Sequence, residues 1–336
     1  MMLVKELNAA LERILTDDPR VVLMGEDIAD PYGGAFKVTR GLSSVAPERV
    51  LTTPVSEGAI VGMAAGLAMS GYRPIVEIMF ADFLSLTFDQ VMNHITKYPA
   101  MYDGKVTCPV IIRSPSGGHR GYGPTHSQSP EKHFLGLPGL TVVAASPYHD
   151  PLATLRSLLL RDDPVLLVEH KLLYAETLTT AVGGRIGAAL AREESSAGRL
   201  PSVLMSWVPP EDCTVTVVAY GYSALVAARA LEQLAIEEEV FGELVVPAEI
   251  APLDAAPISA SLRRTRSLIT IEEGTEGWSW GSEIAQRMSV EAFGQLRRPI
   301  DILASASSII PSSREREREV LVTQSDMRQR IRAAAA

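Results

Sequence analysis

The chain has 336 residues and a mass of 36.2 kDa, a size that predicts two domains rather than one hydrophobic core. Hydrophobic residues make up 46% of the sequence and charged residues 21%, as is usual for a soluble globular protein. The formal net charge is -9 and the isoelectric point is about 5.3. Because a nucleic-acid backbone is bound through a basic face, this charge argues against a nucleic-acid partner.

Cysteine usage and hydropathy indicate the compartment. Cys108 and Cys213 lie far apart in apolar runs, without metal-ligand spacing, which predicts two core residues and no disulfide framework or structural metal site. The first 15 residues have helical spacing and an acidic residue rather than the features of a secretion signal. No run approaches the roughly 18 apolar residues of a membrane span. We therefore expect a cytoplasmic protein with no membrane partner.

The first half of the sequence alternates short β-branched runs with longer helical patterns. Five runs have the length and composition of buried strands: 21–25, 74–80, 109–113, 140–146 and 164–170. Three segments between them have helical spacing: 57–70, 85–98 and 150–161. Such alternation predicts an α/β fold, with a parallel sheet covered by helices on both faces.

The pattern lapses near residue 183 and resumes near 213. Glycine, serine, proline and charged residues without clean periodicity predict a linker over 184–212. A second α/β series follows, with strands predicted at 213–221, 243–247, 267–273 and 299–305 and helices near 223–235 and 281–296. We predict two domains, 1–183 and 213–336, each a largely parallel sheet flanked by helices. The alternating charges at 314–319 predict a solvated helical face.

Glu57 stands where a strand ends and a helix of small residues begins. The glycines and alanines behind it are unfavourable in a helix unless another surface packs closely against them. Position alone favours an ordinary first-turn carboxylate, stabilised by the helix dipole, with Ser56 as a possible cap.

Two other segments carry candidate functional side chains. Phe80, Phe83 and Phe88 follow a strand, where an aromatic ring serves either as core packing or as a stacking platform in a ligand crevice. His126 lies in a segment rich in turn formers and hydroxyls, where a histidine is more often a surface residue than a catalyst. Ser129, with a proline and an acid after it, predicts a helix start just beyond.

Taken together, these segments resemble the beta subunit of the thiamine diphosphate-dependent 2-oxo acid dehydrogenases. The matching segments of the first half are 24–42, 53–66, 71–83, 89–97, 111–118, 125–131, 138–147 and 163–174. Those of the second half are 251–254, 268–274 and 281–288. The resemblance implies a transketolase-like pyrimidine-binding domain followed by a transketolase C-terminal-like domain.

The resemblance also implies roles for three residues. Glu57 matches the glutamate that hydrogen-bonds a ring nitrogen of the cofactor's aminopyrimidine, favouring the tautomer that removes the thiazolium proton. Phe83 matches the aromatic residue that packs on the pyrimidine. His126 matches the histidine that moves or stabilises protons during acyl transfer. The bound thiazolium takes up the electron pair released as carbon dioxide leaves the 2-oxo acid.

The chain lacks the Gly-Asp-Gly motif that holds the cofactor's diphosphate through magnesium. In the two-subunit members that motif belongs to the alpha subunit. The resemblance therefore implies an alpha partner that holds Mg²⁺, in a two-plus-two heterotetramer, with a small 2-oxo acid as substrate. A lipoyl acyltransferase is a candidate further partner.

The sequence departs from the family pattern in places, so alternatives stay open. Ser56-Glu57-Gly58-Ala59 replaces the usual Ser-Glu-Ala-Gly, which is a mild exchange, whereas 308–322 diverges strongly in a domain that contributes to docking the lipoyl acyltransferase. The first hypothesis is a beta subunit that feeds lipoamide. The second is a thiamine-dependent carboligase that passes the activated aldehyde to another carbonyl. The third, a non-catalytic regulatory paralogue, is disfavoured because all three candidate residues are present.

Overall fold

The computed structural model of the protein describes residues 1–181 and 183–336. Their strands are β1 (Val21–Gly25), β2 (Val50–Thr52), β3 (Arg73–Glu77), β4 (Ile111–Ser116), β5 (Thr141–Ala144), β6 (Val165–His170), β7 (Arg185–Ile186), β8 (Ala189–Glu194), β9 (Ser202–Ser206), β10 (Val215–Ala219), β11 (Gly242–Pro247), β12 (Glu249–Ala251), β13 (Leu268–Thr275) and β14 (Asp301–Ser305). Most of them are short, β-branched and buried, as the hydrophobic runs predict.

The helices are α1 (Leu3–Asp17), α2 (Leu42–Val45), α3 (Glu57–Met69), α4 (Tyr98–Met101), α5 (Pro151–Leu159), α6 (Gly221–Glu238), α7 (Ala256–Thr265), α8 (Trp280–Glu291), α9 (Arg314–Val320) and α10 (Gln324–Ala335). The helix predicted at 85–98 is instead a 3-10 helix over Ala81–Thr87 followed by a π-helix over Gln90–Ile95. None of the described helices combines the length and the apolar composition that a bilayer crossing demands.

The first sheet has seven strands in the order β12-β5-β6-β4-β3-β1-β2. Every pair in it is parallel except β12 with β5. The second sheet has the order β14-β13-β10-β11-β9-β8-β7, and its first four strands are parallel. The predicted α/β fold with two largely parallel sheets is therefore confirmed.

The predicted linker over 184–212 is wrong for much of its length. Residues within it form β7, β8 and β9, which add an antiparallel meander to β11 of the second sheet. The polar residues of this segment follow from its position near an edge of the sheet. There β8 alternates buried with partly exposed positions instead of forming a fully buried run. The second half also contributes one strand to the first sheet, because β12 pairs with β5.

A buried ion network crosses the first sheet. Arg113 on β4 is 1% exposed and donates two hydrogen bonds of 2.7 Å to Glu169 on β6 and one of 3.0 Å to Glu77 on β3. The Tyr174 hydroxyl donates to Glu169 at 2.7 Å. Burial raises the pKa of Glu77, and Arg113 opposes that shift. This network fixes three neighbouring strands close to their carboxyl ends, where a site in such a sheet is expected.

Candidate active site

The segments that follow β1, β3, β4 and β6 meet at the carboxyl edge of the first sheet. Glu26 follows β1, Phe80 and Phe83 follow β3, and the loop 117–129 follows β4. Lys171 follows β6. In open α/β sheets this edge is where ligand crevices form.

Glu57 opens α3 and is 6% exposed. The helix begins as predicted, but Ser56 makes no side-chain cap hydrogen bond. The close packing expected along α3 is found at its first turn, where a Cβ on Gly58 would lie 3.3 Å from the Gln90 Oε1 atom and 3.4 Å from the Leu86 carbonyl oxygen. The start of α3 therefore packs directly against the 3-10 and π-helical segment that carries Phe83.

Farther along α3, the small residues face outward. Gly62 and Gly66 are exposed, and nothing within the described residues comes within 4 Å of a Cβ placed on either one. Met63 beside them is 59% exposed, and Val55 just before the helix is 79% exposed. This face has the small and apolar composition of a close-packing surface without a neighbour in this chain.

Glu26 is a neighbour of Glu57 that the sequence analysis did not single out. It is 8% exposed, and its pKa is raised by burial, by Glu57 and by Asp27. In the sequence, Glu26 could have been found as a candidate because it directly follows a predicted buried strand. Three buried oxygen atoms, one on Glu26 itself and two on residues near these acids, have no hydrogen-bond partner in the part of the chain that the structure describes: Glu26 Oε1, Thr53 Oγ1 and Gln90 Oε1.

Orphaned buried acceptors are costly, since each one gives up hydrogen bonds to water without a replacement. Three of them near the start of α3 indicate that a molecule outside this chain completes their hydrogen bonding. A carboxyl group in such a place can bind a ring nitrogen or an amino group of a heteroaromatic ligand.

Phe80, Phe83 and His126 form an aromatic cluster beside this position. The ring centroids of His126 and Phe80 are 4.8 Å apart, and those of His126 and Phe83 are 5.3 Å apart, both edge to face. Phe36 and Tyr122 extend the cluster around Phe80 at 5.7 and 6.4 Å. Phe83 is only partly buried, so it has a free ring surface on which a flat ligand can stack.

The loop that carries His126 is tied to the segment that carries Phe83. The backbone N–H and the side-chain amide of Gln128 donate to Asp82 Oδ1 at 3.3 and 2.8 Å. The Thr125 hydroxyl lies 3.1 Å from His126 Nδ1. The structure therefore brings Phe83 and His126 together directly and places Glu57 on the helix that packs against the same segment.

The predicted helix start beyond Ser129 differs in detail. Residues Pro130–His133 form one 3-10 turn, and the Ser129 side chain does not cap it. Its hydroxyl donates instead to Glu273 of the second sheet at 3.1 Å. Glu131 is 3% exposed and accepts a 2.8 Å hydrogen bond from Tyr220, and burial raises its pKa to about 7.

Lys171 is a second residue that the sequence analysis did not single out. It is 1% exposed, and its Nζ atom lies 5.6 Å from the Phe80 ring centroid. Burial lowers its pKa to about 8, although Asp82 and Glu273 favour the charged form. No hydrogen-bond partner for Nζ lies among the described residues. The site thus has a buried cationic group beneath its aromatic cluster.

Among the residues that the structure describes, no group of three or more histidine, cysteine, aspartate or glutamate side chains could hold a metal ion. The oxygen and aromatic groups at the edge fit the aminopyrimidine part of thiamine diphosphate. They offer a carboxyl group, an aromatic face and an imidazole.

Two family models match the sequence. Residues 1–177 match the transketolase pyrimidine binding domain, and residues 208–327 match the transketolase C-terminal domain. The pyruvate dehydrogenase E1 component subunit beta of Leifsonia xyli subsp. xyli is 36% identical over 313 residues, which are 93% of this chain and 88% of that protein. The chain belongs to the beta subunits of the thiamine diphosphate-dependent 2-oxo acid dehydrogenases.

Another relative in this family is named for a different substrate. The 3-methyl-2-oxobutanoate dehydrogenase subunit beta of Mycobacterium tuberculosis is 34% identical over 301 residues, 89% of this chain and 82% of that protein. The solved structure of a split gene transketolase, an inactive beta4 tetramer, matches with a TM-score of 0.73 at 20% identity. It covers 100% of this chain and 99% of its own, and it supports the two-domain fold. The family resemblance seen in the sequence is therefore confirmed.

Proposed function

We propose that this beta subunit joins an alpha subunit in an enzyme that decarboxylates a 2-oxo acid and transfers the acyl unit to lipoamide. The observation that carries the proposal is the buried pair Glu26 and Glu57, with orphaned oxygen atoms on Glu26, Thr53 and Gln90, at a helix start that packs against the segment carrying Phe83. Such a site fits a heteroaromatic ligand, and no cluster of metal-ligating side chains lies among the described residues.

Glu57 is the proposed partner of the aminopyrimidine ring. Bound thiamine diphosphate supplies a thiazolium that accepts the electron pair released when carbon dioxide leaves. The Glu57 carboxyl group would hydrogen-bond a ring nitrogen and hold the ring in the tautomer that can take up a proton. Its burial at 6% exposure strengthens that hydrogen bond, because little water competes for it.

Phe83 and His126 are the proposed stacking and proton-handling groups. The partly buried Phe83 ring would pack on the pyrimidine, and the edge-to-face contact at 5.3 Å would keep His126 at the border of that ring. An imidazole is a suitable donor and acceptor of protons near neutral pH, which fits a role in acyl transfer.

The alpha subunit is proposed to hold the Mg²⁺ and the diphosphate, in an α2β2 heterotetramer. The absence of a Gly-Asp-Gly motif from the sequence supports this division. The outward face of α3, with exposed Gly62, Met63 and Gly66, offers a close-packing surface for assembly. The two relatives described above are named for pyruvate and for 3-methyl-2-oxobutanoate, and we propose a substrate of that short-chain 2-oxo acid class.

Replacing Glu57 tests the proposal. In the alpha–beta assembly, Glu57→Gln should slow exchange of the cofactor's C2 proton by about 10²- to 10⁴-fold, the range for losing a positioned acid–base group. Proton exchange followed by NMR in deuterated buffer measures this step without an acyl acceptor. The conservative amide keeps the size of the side chain but cannot act as the acid.

Glu12→Gln is the matched control, because Glu12 is an exposed acid on α1, in the same half of the chain as Glu57. It should leave the exchange rate unchanged. Exchange at the wild-type rate in Glu57→Gln would rule out the proposed role of this carboxyl group. Lipoamide acylation by the wild-type assembly, measured with a 2-oxo acid, tests the acceptor separately.

A further inference from the structure

The loop 117–129 that carries His126 is held by the other half of the chain. It follows β4 of the first sheet, yet a Cβ on Gly118 would clash with the Leu321 Cδ1 atom. A Cβ on Gly121 would lie 3.3 Å from the Arg314 Cβ atom, and one on Gly123 would lie 3.2 Å from the Ser312 Oγ atom. Residues 312–321, in the divergent segment, therefore pack along this loop.

Glu273 on β13 fastens both ends of the loop. One of its carboxylate oxygens, Oε1, accepts from the Gly118 N–H at 2.7 Å and from the Ser129 hydroxyl at 3.1 Å. The other oxygen lies 2.9 Å from His170 Nε2. Because the Leu172 N–H donates to His170 Nδ1 at 3.2 Å, the His170 ring carries its proton on Nε2 and donates it to Glu273.

The charge state of Glu273 agrees with this arrangement. Burial by itself would raise its pKa, but the imidazoles of His170 and His119 beside it hold the pKa well below the usual range. Burial lowers the pKa of His170, and Glu273 opposes that shift. An ionised carboxylate that accepts several hydrogen bonds is a strong anchor for the groups that donate them.

Glu317 on α9 fastens the middle of the loop. It is fully buried, and its Oε2 atom accepts from the Gly121 N–H at 2.9 Å. The other charged residues of this helix are exposed: Arg314, Glu315, Arg316, Arg318 and Glu319. The predicted solvated face is therefore wrong at this one position.

A buried carboxylate is unfavourable unless hydrogen bonds compensate it. The second oxygen of Glu317, Oε1, has no hydrogen-bond partner in the described part of the chain. Glu315 and Glu319 show that the same helix keeps other acids in water. The contact with Gly121 is thus the specific feature that distinguishes Glu317 from its neighbours.

We propose that Glu273 and Glu317 are positioning residues that clamp the loop 117–129 and so hold His126 against Phe80 and Phe83. The clamp makes the second half of the chain, including its divergent segment, part of how the site is built. This inference deepens the proposed function, because the consequence for acyl transfer rests on the proposed role of His126. The ordering of the loop itself does not depend on that role.

Hydrogen–deuterium exchange with mass spectrometry tests the clamp in the full chain assembled with its alpha subunit. Glu317→Ala should speed exchange in peptides that cover 117–129 by about tenfold, the effect of losing one buried hydrogen bond to a charged acceptor. Glu317→Gln keeps an oxygen that can accept from Gly121 and should restore much of the protection. Glu315→Gln and Glu319→Gln are the matched controls, and both should exchange like the wild type.

Two kinetic readouts separate positioning from general damage. Glu317→Ala should leave exchange of the thiamine diphosphate C2 proton within about twofold of wild type and slow lipoamide acylation by about tenfold, because only the second step uses His126. Ser129→Ala removes one Glu273 contact without changing a residue of the second sheet. It should speed amide hydrogen–deuterium exchange at the end of the loop near residue 129.

Loop protection equal to that of the two controls would overturn the proposal. A rise in exchange spread evenly over the whole chain would also overturn it, since it would show lost stability instead of a released loop. If the wild-type assembly binds no thiamine diphosphate, the proposed function fails. Hydrogen–deuterium exchange of the loop would still test whether Glu317 holds it in place.

Discussion

Two places in the molecule bury carboxylates in opposite ways. At the seam between the two halves, Glu273 accepts hydrogen bonds from a backbone N–H, a hydroxyl and an imidazole, and its pKa is held low. At the carboxyl edge of the first sheet, Glu26 lies close to another acid, has an orphaned oxygen, and has a raised pKa. Glu273 is 7% exposed and Glu26 is 8% exposed. Because their burial is nearly equal, hydrogen bonding and neighbouring charge explain the opposite pKa shifts.

The difference separates structure from binding. A compensated carboxylate joins segments of the chain, whereas an uncompensated one stores free energy that a ligand or a partner can release. Glu77 and Glu169 resemble Glu273 in their hydrogen bonding, because Arg113 donates to both, although burial still raises the pKa of Glu77. Glu26 represents the second kind, and Glu57 is one of the charges that raise its pKa.

Arg113→Met should have the largest effect on stability. It would leave Glu77 and Glu169 buried without their cation, which lowers the free energy of unfolding by about 3–5 kcal/mol. Urea denaturation of the full chain, followed by circular dichroism, measures the change. Arg13→Met is the control, because it breaks an exposed pair with Asp17 and should change the free energy by less than about 1 kcal/mol. Equal losses in the two variants would contradict the distinction.

Much of the fold follows from local sequence. The run 21–25 became β1 without a shift, and Glu57 was placed correctly at the first residue of α3. The strands β7 and β8 were missed because they lie at and next to a sheet edge, where a buried run is not required. The buried strand β9 was missed because the stretch around it is rich in proline, serine and charged residues. Local pattern cannot show which distant strand an edge will pair with.

Less of the site could be predicted. The residue types and the family resemblance singled out Glu57, Phe83 and His126, and their roles stay predictions. Glu273 was missed because its partner Gly118 is 155 positions away along the chain. Glu317 was assigned to solvent because its five charged neighbours indicated a polar helix, and only the packed loop shows that one position points inward.

Glu131→Gln should have a smaller and pH-dependent effect. Because burial raises the pKa of Glu131 to about 7, the folded chain keeps the proton through a pH range in which the unfolded chain has lost it. Its contribution is therefore full below about pH 4.5 and is lost as the pH rises through 7. The neutral amide avoids that loss, so the variant should match wild type at pH 5 and exceed it at pH 8 by up to about 3 kcal/mol.

Urea denaturation of both proteins at the two pH values measures the difference. Glu48→Gln, an exposed acid of the same sheet's outer layer, is the control and should follow wild type at both. A constant difference between pH 5 and pH 8 would show that Glu131 does not titrate in this range. It would then be a compensated carboxylate of the Glu273 kind.

Glu26→Gln should have the smallest effect, and its sign should depend on what fills the site. In the chain alone the pKa of Glu26 is raised, so ionisation lowers stability above that pKa, and the amide should raise the free energy of unfolding by less than about 1 kcal/mol at pH 7.5. In the assembly with the alpha subunit and thiamine diphosphate, a donor from outside the chain should satisfy the carboxylate. The advantage of the amide should then disappear or reverse, as measured by thermal unfolding with and without the cofactor. An equal stability gain from Glu26→Gln with and without the cofactor would show that the ligand does not contact Glu26. Its orphaned oxygen would then be a feature of the fold, because a ligand changes the stability effect of a substitution only where the substitution changes ligand binding.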